Sequence, residues 1–571
     1  MGVKHFFQWY KSNFKSNIST LEQSQNFETH KIDIDNLMID MNGIFHNSAQ
    51  KVFKYGNHKV QRLIKLKPTV INFKKKQQDI YKNICETIEK ELEIVNPRKR
   101  IILCVDGPAP ISKQNQQRQR RFRTAMEAPE DQLFDSNCIT PGTKFMDYLT
   151  KYIDWYIRSK LQNDPKWQKL EIIFSNEKAV GEGEHKLINY IRKYGNVDES
   201  YCISGMDADL IMLSLVTHIP NLYILREETY IAGIEYYILD IGNTREKLKK
   251  MLRWKSSAYS YNPISAIDDF VFICFTTGND FLPHVPSIEI IENGIELLTS
   301  ILREVGITNG HITYRNKNGV FISTKAFKVY MELLGKYEKE NFERKLRNKH
   351  SYFKDEILEK NGSITENKVS FNIDGYIQDY LLASFGENYN ISEICNKYIE
   401  GMQWVISYYT SGVTNWKWLY NYHYAPPASV LANYILDFVN PIYPITGPST
   451  TFQQLLCVLP PKSAKLLPDA LADLLLDENS RLAEFCPKNF TIDLAGKRNE
   501  WEGIVLLPMV DFETVRELYF ENLNKISVVS KKRNIFGKSF KYEIDQNNLY
   551  YFKSYYGDIE NCKIKIALFD L

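Results

Sequence analysis

Residues 36–43 read NLMIDMNG and residues 100–108 read RIILCVDGP, and in both stretches a short apolar run ends close to an aspartate and a glycine. Three more apolar runs of this length follow, LEIIFS at 170–175, ESYCISG at 199–205 and NLYILRE at 221–227. Each run reads as a buried strand of four to six residues and is followed by helix-like periodicity. This alternation predicts an α/β domain with a largely parallel central sheet flanked by helices.

The composition is that of a globular protein of more than one packed region. The chain has 571 residues, 44% of them hydrophobic and 25% charged, with a net charge of +3. No apolar run reaches the roughly 18 residues of a membrane span, and the N-terminus lacks the layout of a secretion signal. Nine cysteines occur without a CxxC pair. We therefore expect buried, reduced thiols in the cytoplasm or nucleus and no zinc site.

Acidic residues recur where the predicted strands end. Carboxyl ends of parallel strands meet at one edge of a sheet, where active sites of open α/β folds lie. Taken singly, an aspartate after a strand is more often a helix N-cap than a ligand. As a set at equivalent places, we expect the acids to converge on one crevice: Asp40, Asp106, Glu182, Glu184, Asp207, Asp209 and Asp280.

Seven carboxylates in one crevice would repel one another, at about 4 kcal/mol per pair 4 Å apart at an effective dielectric near 20. Hard divalent cations with oxygen ligands offset this repulsion, and Mg²⁺ or Mn²⁺ suits a site without histidine or cysteine. Two such ions serve phosphoryl chemistry. The spacing of GEGEH at 181–185 and of Asp207 and Asp209 allows each acid pair to face one side of an extended segment.

A basic helix is predicted directly after Asp106. Four polar residues at relative positions 0, 4, 7 and 8 fall on one helical face: Lys113, Gln117, Arg120 and Arg121. A solvated helix or a nuclear signal would give the same composition. Because the helix starts seven residues from a predicted metal ligand, we favour a pocket for a compact phosphate.

Ten blocks, in order from residue 1 to about 540, together resemble the Xrn-type 5′→3′ exoribonucleases. They include DNLMIDMNGIFH, CVDGPAPISKQNQQRQRRFR, GEGEHK, GMDADLIMLSL, DDFVFICFTTGNDFLPHVPSIE and GMQWVISYY. The resemblance implies that the seven acids bind metal and that Lys113, Gln117, Arg120 and Arg121 hold a 5′-monophosphate. It also implies that His46 stacks on a base, with a tryptophan partner that we expect to be Trp404, or else Trp416.

The resemblance implies a PIN/flap-nuclease-like α/β domain with a mostly parallel twisted sheet and a mainly helical second region that closes the site. We place the catalytic domain at residues 1–346, a charged linker at 347–369, the second region at 370–510 and a C-terminal extension at 511–571. The run DDFVFICFTTG at 268–278 is predicted to be a buried helix that ends at Gly278. Residues 51–80 form a lysine-rich segment that does not align with the family.

The function implied is processive hydrolysis of 5′-monophosphorylated single-stranded RNA to nucleoside 5′-monophosphates with two Mg²⁺ or Mn²⁺ ions. We expect a cytoplasmic monomer, with the nucleus as the other compartment and with cleavage of DNA left open. One alternative is a flap-type structure-specific nuclease with the same acids. Another is a non-catalytic RNA-binding scaffold on the same fold, against which the presence of all seven acids argues.

Overall fold

A computed structural model describes residues 3–56, 73–129, 133–348, 352–365, 368–547 and 549–571. Residues 57–72 of the lysine-rich segment at 51–80 therefore lie outside the described residues, as do positions 349–351 and 366–367 of the predicted linker. None of the described helices is both long and apolar enough to cross a bilayer. All nine cysteines are buried and unpaired by disulfides, so the predicted burial of the thiols is confirmed.

The five predicted strands are all present, and they are the parallel centre of the main sheet. The described strands are β1 Ile18–Glu22, β2 Asn36–Asp40, β3 Arg100–Cys104, β4 Glu171–Ser175, β5 Tyr201–Ser204, β6 Leu222–Glu227, β7 Ile234–Asp240, β8 Thr313–Asn316, β9 Gly319–Ile322, β10 Gly362–Thr365, β11 Lys368–Phe371, β12 Thr491–Asp493, β13 Ile504–Leu506, β14 Ser539–Ile544, β15 Tyr550–Phe552, β16 Ile559–Cys562 and β17 Ile564–Phe569.

The main sheet has the order β1-β7-β6-β5-β2-β3-β4-β14-β17 among the described strands. Strands β6, β5, β2, β3 and β4 are parallel, whereas the pairings at the two edges, β6 with β7 and β7 with β1, and β4 with β14 and β14 with β17, are antiparallel. The predicted α/β class with a mostly parallel sheet is confirmed. Strands β14 and β17 come from the segment predicted as a C-terminal extension, and they lengthen the central sheet.

Helices cover both faces of the sheet. The described helices are α1 Phe6–Asn13, α2 Met41–Phe53, α3 Phe73–Val95, α4 Ile111–Glu127, α5 Lys144–Asn163, α6 Gly183–Tyr194, α7 Asp209–Leu215, α8 Ile241–Met251, α9 Pro263–Cys274, α10 Gly294–Asn309, α11 Thr324–Lys336, α12 Glu338–Asn348, α13 Glu356–Lys360, α14 Ile373–Phe385, α15 Ile391–Ser411, α16 Ala428–Leu431, α17 Thr451–Val458, α18 Asp469–Leu476, α19 Phe512–Asn522 and α20 Val528–Lys531.

Alternate residues of each strand feed different cores, as the two-residue period of a strand requires. Met38 and Ile102 point into the core that continues into the helical second region as far as Ile435. Leu37 and Ile101 point into the opposite core, which α2, α3 and α5 cover. The second region therefore shares one apolar core with a face of the main sheet.

The predicted buried helix is confirmed as α9. Asn262 caps it by accepting hydrogen bonds from the amides of Ile264 and Ser265, and Pro263 occupies its first turn. A short 3₁₀ turn, Phe275–Thr277, then ends at Gly278, whose φ of 86° is left-handed. The segment 347–369 contains α13 and the first strand of the β10–β11 hairpin. The domain boundaries given above stay predictions.

Candidate active site

The seven predicted acids lie at the carboxyl edge of the parallel strands. Asp40 ends β2 and precedes α2, and Asp106 follows β3 by two residues. Glu182 is the residue before α6 and Glu184 is in its first turn, while Asp209 begins α7 beyond β5. Asp207 lies in the loop between β5 and α7, and Asp280 follows the turn that ends α9. Each acid is thus placed by the end of a strand or helix.

Close approaches at Gly183 join the first two of these acids. The Gly183 amide donates a 2.7 Å hydrogen bond to Asp106 Oδ1. A Cβ at position 183 would lie 2.5 Å from Asp40 Oδ1 and 3.4 Å from Asp106 Oδ1. A glycine is therefore needed at this first position of α6, because the two carboxylates occupy the space of a side chain.

A second group of acids forms the adjoining part of the cluster. Glu184, Asp207 and Asp209 each offer one carboxylate oxygen within 4.8 Å of the others. Burial, followed by repulsion from Asp280 and Asp207, raises the pKa of Asp209 to about 7. Burial, followed by repulsion from Asp106 and Asp207, also raises the pKa of Asp40 well above its usual range. These interactions show that the two groups of acids belong to one site.

Lys113 connects the remaining acids to the cluster. Its Nζ lies 2.5 Å from Glu182 Oε2, 2.8 Å from Asp280 Oδ2 and 3.9 Å from Glu184 Oε1. These carboxylates raise the pKa of Lys113 well above its ordinary value although burial opposes the charge. Lys113, which was predicted to bind a phosphate, therefore contacts the acids themselves, and its ammonium offsets part of their negative charge.

The donor set fits hard divalent cations. Among the described residues, Asp40 Oδ1, Asp209 Oδ1 and the Tyr409 hydroxyl are buried at this site without a hydrogen-bond partner. A buried carboxylate oxygen without a partner is costly unless a cation or water satisfies it. Oxygen donors alone suit Mg²⁺ or Mn²⁺. The acidic cluster is thus consistent with metal ions.

The predicted basic face is present on α4. Lys113, Gln117 and Arg121 are buried, whereas Arg120 is exposed. Arg121 Nη1 has no hydrogen-bond partner among the described residues, and burial together with Arg120 lowers the pKa of Arg121 to about 9. A buried guanidinium with an unsatisfied N–H suits an anionic ligand.

The second region fixes the start of α4. Ile111 donates its amide hydrogen to the Trp416 carbonyl at 2.9 Å, and the Ser112 hydroxyl donates to the Trp418 carbonyl at 2.6 Å. Gln454 of α17 donates to Gln117 Oε1 at 3.3 Å. The orientation of the basic face therefore depends on residues more than 300 positions away in the chain.

Residues 1–228 match the family model described as XRN 5′-3′ exonuclease N-terminus, and residues 260–375 and 358–567 match the model described as Xrn1 helical domain. The chain belongs to the XRN 5′-3′ exonuclease family.

Relatives in the XRN family extend beyond this chain. The 5′-3′ exoribonuclease 1 of Saccharomyces cerevisiae is 29% identical over 96% of this chain, which spans 45% of the yeast protein. The 5′-3′ exoribonuclease 2 homolog of Drosophila melanogaster is 28% identical over 96% of this chain, which spans 74% of the fly protein. Among solved structures, the catalytic core of Rad2 with a DNA substrate covers 61% of this chain and 80% of its own, with 14% identity and a TM-score of 0.32.

His46 and Trp404 were the two aromatic candidates for base stacking in this XRN chain. His46 is half-buried, and burial followed by the charges of Arg120 and Arg121 lowers its pKa to about 3, so its ring is neutral. Trp404 differs from the expectation. It is fully buried, stacks on Trp418 at 5.0 Å and packs against Phe281, which leaves no face open to a base. Trp416, the alternative, is half-buried.

Tyr408 and His185 were missed at the sequence level. The Tyr408 hydroxyl donates a 2.7 Å hydrogen bond to Glu182 Oε1. His185 stacks on the Tyr408 ring with centroids 3.7 Å apart and planes 4° from parallel. The only sequence signal is that both lie in motif blocks, GEGEHK and GMQWVISYY.

Asn42 and Lys186 hold the Asp106 loop and were also missed. Asn42 Nδ2 donates to Asp106 Oδ2 at 2.8 Å, and the Asp106 amide donates to Asn42 Oδ1 at 3.0 Å. Lys186 Nζ donates to the carbonyls of Val105 at 2.7 Å and Asn176 at 3.0 Å. Both side chains therefore orient backbone and carboxylate groups of the site.

Proposed function

We propose that this protein is a 5′→3′ exoribonuclease that releases nucleoside 5′-monophosphates, one at a time, from single-stranded RNA with a 5′-monophosphate. One observation carries the proposal: the Lys113 ammonium contacts Glu182 and Asp280 and also heads the α4 face that contains Gln117 and Arg121. A terminal phosphate bound on that face would lie beside the acidic cluster. The scissile bond of the first nucleotide would then be near the acids.

The acids would hold two divalent cations, Mg²⁺ or Mn²⁺, through the seven carboxylates from Asp40 to Asp280. When bound, such ions lower the pKa of a coordinated water and stabilise the charge on the leaving oxygen in phosphoryl chemistry. Asn42, Lys186 and Tyr408 would keep Asp106 and Glu182 in position through the hydrogen bonds described above. The site is thus organised before substrate binds.

The basic face would recognise the end of the RNA. Arg121 offers a buried N–H with no partner in the described part of the chain, and Gln117 is buried beside it on the same face of α4. Guanidinium and ammonium donors at fixed positions suit a compact phosphate with free oxygens. A 5′-triphosphate would extend into the surrounding protein, so we propose that it is rejected.

Base stacking would favour single strands, because stacked bases must separate to enter one at a time. We propose His46 for one stacking partner. For the other we propose Trp416 rather than Trp404, since Trp416 has exposed surface and its carbonyl is hydrogen-bonded to the first residue of α4. The buried thiols suit a reducing compartment, and we propose that the protein acts as a monomer in the cytoplasm, with the nucleus as the alternative.

The direct test compares one RNA sequence with a 5′-monophosphate, a 5′-hydroxyl or a 5′-triphosphate, and the same sequence as a circle, in Mg²⁺ and in EDTA. A DNA version with a 5′-monophosphate tests sugar selectivity. We expect metal-dependent loss of the monophosphorylated RNA alone, with nucleoside 5′-monophosphates as the product. Cleavage of the circle would contradict the proposal and favour an endonuclease. Binding without product would favour a non-catalytic scaffold.

A further inference from the structure

A separate polar cavity of about 220 Å³ opens beside His46. It lies between α2, α3 and the carboxyl ends of β5 and β6, with Asn47, Glu91, Ser204 and Glu227 in its wall. In doubly wound sheets, ligands bind at the carboxyl edge where the strand order reverses. The cavity is at that point, because β2 lies between β3 on one side and β5 on the other. It shares only Asp40 and His46 with the site described above.

The charge of the cavity excludes a phosphate as its ligand. Its ionisable lining residues, apart from His46, are Asp40, Glu91 and Glu227, and no lysine or arginine lines it in the described part of the chain. No positively charged side chain in the described lining would offset the charge of a phosphate, so the phosphates of a nucleic acid would stay outside. The ligand that fits is therefore not an anion, and it presents hydrogen-bond donors to the carboxyl groups.

Glu91 has one carboxyl oxygen that faces no partner in the described part of the chain, although its side chain is hydrogen-bonded to Ser204. The residue is 3% exposed, and its Oε2 atom is buried with no hydrogen-bond partner among the described residues. Burial raises the pKa of Glu91 to about 8, so the side chain carries a proton at neutral pH and offers both a donor and an acceptor. A buried oxygen of this kind is costly when unsatisfied. The cavity in front of it provides the room for a partner.

Asn47 and Glu227 form the opposite polar wall. Asn47 Nδ2 donates to Glu227 Oε2 at 2.8 Å, which fixes the orientation of the carboxylate. Ile44 and Leu225 supply apolar surface between these polar groups. A flat ring with polar edges is therefore complementary to the cavity.

We propose that this cavity is a subsite for the edge of a nucleobase with an exocyclic amino group, adenine or cytosine, in the RNA strand that passes His46. The inference rests on the proposed exonuclease function for its substrate. Glutamate accepts hydrogen bonds from the cytosine amino group, and asparagine or glutamine pairs with adenine. Uracil presents a carbonyl oxygen where these bases present the amino group, so Glu227 would repel it.

Nucleoside binding tests the cavity without catalysis. Adenosine, cytidine and uridine contain no phosphodiester bond, so the wild-type protein can be titrated with each in EDTA by ligand-detected NMR. We expect adenosine and cytidine to bind roughly tenfold or more tightly than uridine. Inorganic phosphate should not compete with them, because it belongs to the α4 face.

Two variants assign the preference to the cavity. Glu91→Leu replaces the buried donor and acceptor by an apolar side chain, so adenosine and cytidine should lose affinity and their preference over uridine should fall. Glu227→Gln keeps the shape but places an amide where the carboxylate was, so uridine should gain. The matched control is Glu338→Gln, because Glu338 is another buried glutamate but lies on α12 and does not line the cavity. The Glu338→Gln variant should prefer adenosine and cytidine over uridine as strongly as the wild type does.

Single-turnover decay of 5′-monophosphorylated RNAs that differ only by A, C or U runs provides the second measurement. Slower decay of the U run in the wild type, and a smaller difference between the runs in Glu91→Leu, would support the subsite. Equal binding of the three nucleosides, or binding of divalent cations alone, would overturn it while RNA decay still shows an exonuclease. Selective binding of adenosine and cytidine by a protein that degrades none of the RNAs would instead overturn the proposed exonuclease function but support the nucleobase site.

Discussion

Tyr408 donates a 2.7 Å hydrogen bond from its hydroxyl to Glu182 Oε1, and this bond joins helix α15 of the second region to the acidic cluster. His185 of helix α6 stacks on the Tyr408 ring, and the two rings are nearly parallel. The second region therefore not only covers the site but also orients one of its carboxylates.

We expect Tyr408→Phe to lower kcat/KM on monophosphorylated RNA roughly tenfold, because a hydrogen bond to a buried carboxylate contributes about 1.5–3 kcal/mol. Tyr398→Phe is the matched control. Tyr398 is also buried on α15, but its hydroxyl donates to the Pro283 carbonyl at 2.9 Å. Steady-state kinetics of both variants measure kcat/KM. An equal decrease of kcat/KM in the two variants would mean that Tyr408→Phe acts by destabilising the fold and not through Glu182.

A methyl group at position 183 should disrupt the acids without a change of charge. In Gly183→Ala the new Cβ would lie 2.5 Å from Asp40 Oδ1 and 3.1 Å from the Cys104 carbonyl, so a carboxylate or the loop must move. A displacement of about 1 Å at a reacting centre costs on the order of a hundredfold in rate. Gly447→Ala is the control, because no atom of the described residues lies within 4 Å of the Cβ that it would add. Full activity of Gly183→Ala would refute the close packing described here.

Metal binding should stabilise the folded protein through the acidic cluster. In wild type, Mn²⁺ at about 100 times its Kd should add about 2.7 kcal/mol to the free energy of unfolding and raise Tm. The double variant Asp207→Ala/Asp209→Ala should lose most of this shift, because two of the three acids within 4.8 Å of one another are removed. Differential scanning fluorimetry with and without EDTA measures the rise in Tm. The same rise in the double variant as in wild type would mean that the ion binds outside the acidic cluster.

The buried proton on Glu91 makes stability depend on pH. Burial raises the pKa of Glu91 from 4.5 to about 8, so the contribution of this group to stability is complete below about pH 4.5 and declines as the pH rises toward 8. Glu91→Gln removes this decline, and its stability relative to wild type should increase between about pH 5 and pH 8. Urea unfolding in EDTA tests this. Glu340→Gln, an exposed site on α12, should show no such trend.

The strands and the positions of the acids could be predicted because both signals are local. An apolar run followed by an acid and a glycine is visible in the sequence, and parallel strands then bring the acids to one edge. Helix α4 was predictable for the same reason, since 113, 117, 120 and 121 share a face in any helix.

The contacts of the second region could not be predicted, because they depend on how distant elements pack. Trp404 and Trp416 are both tryptophans in aromatic surroundings, and only the packing of Trp418 and Phe281 shows that Trp404 is enclosed. The pairing of Lys113 with Glu182 and Asp280 likewise joins residues that are 69 and 167 positions apart in the sequence. The role of β14 and β17 at the sheet edge was hidden by their weak patterning.

The most direct test of the account is a double-mutant cycle between Arg121 and the 5′-phosphate of the RNA. It compares kcat/KM of wild type and Arg121→Gln on 5′-monophosphorylated and 5′-hydroxyl RNA, with Arg123→Gln as control because Arg123 is paired with Glu127. We predict that the phosphate increases kcat/KM in wild type and in the control, and that Arg121→Gln loses roughly tenfold or more of this increase. An increase that Arg121→Gln retains in full would contradict a phosphate pocket on α4 beside the acidic cluster.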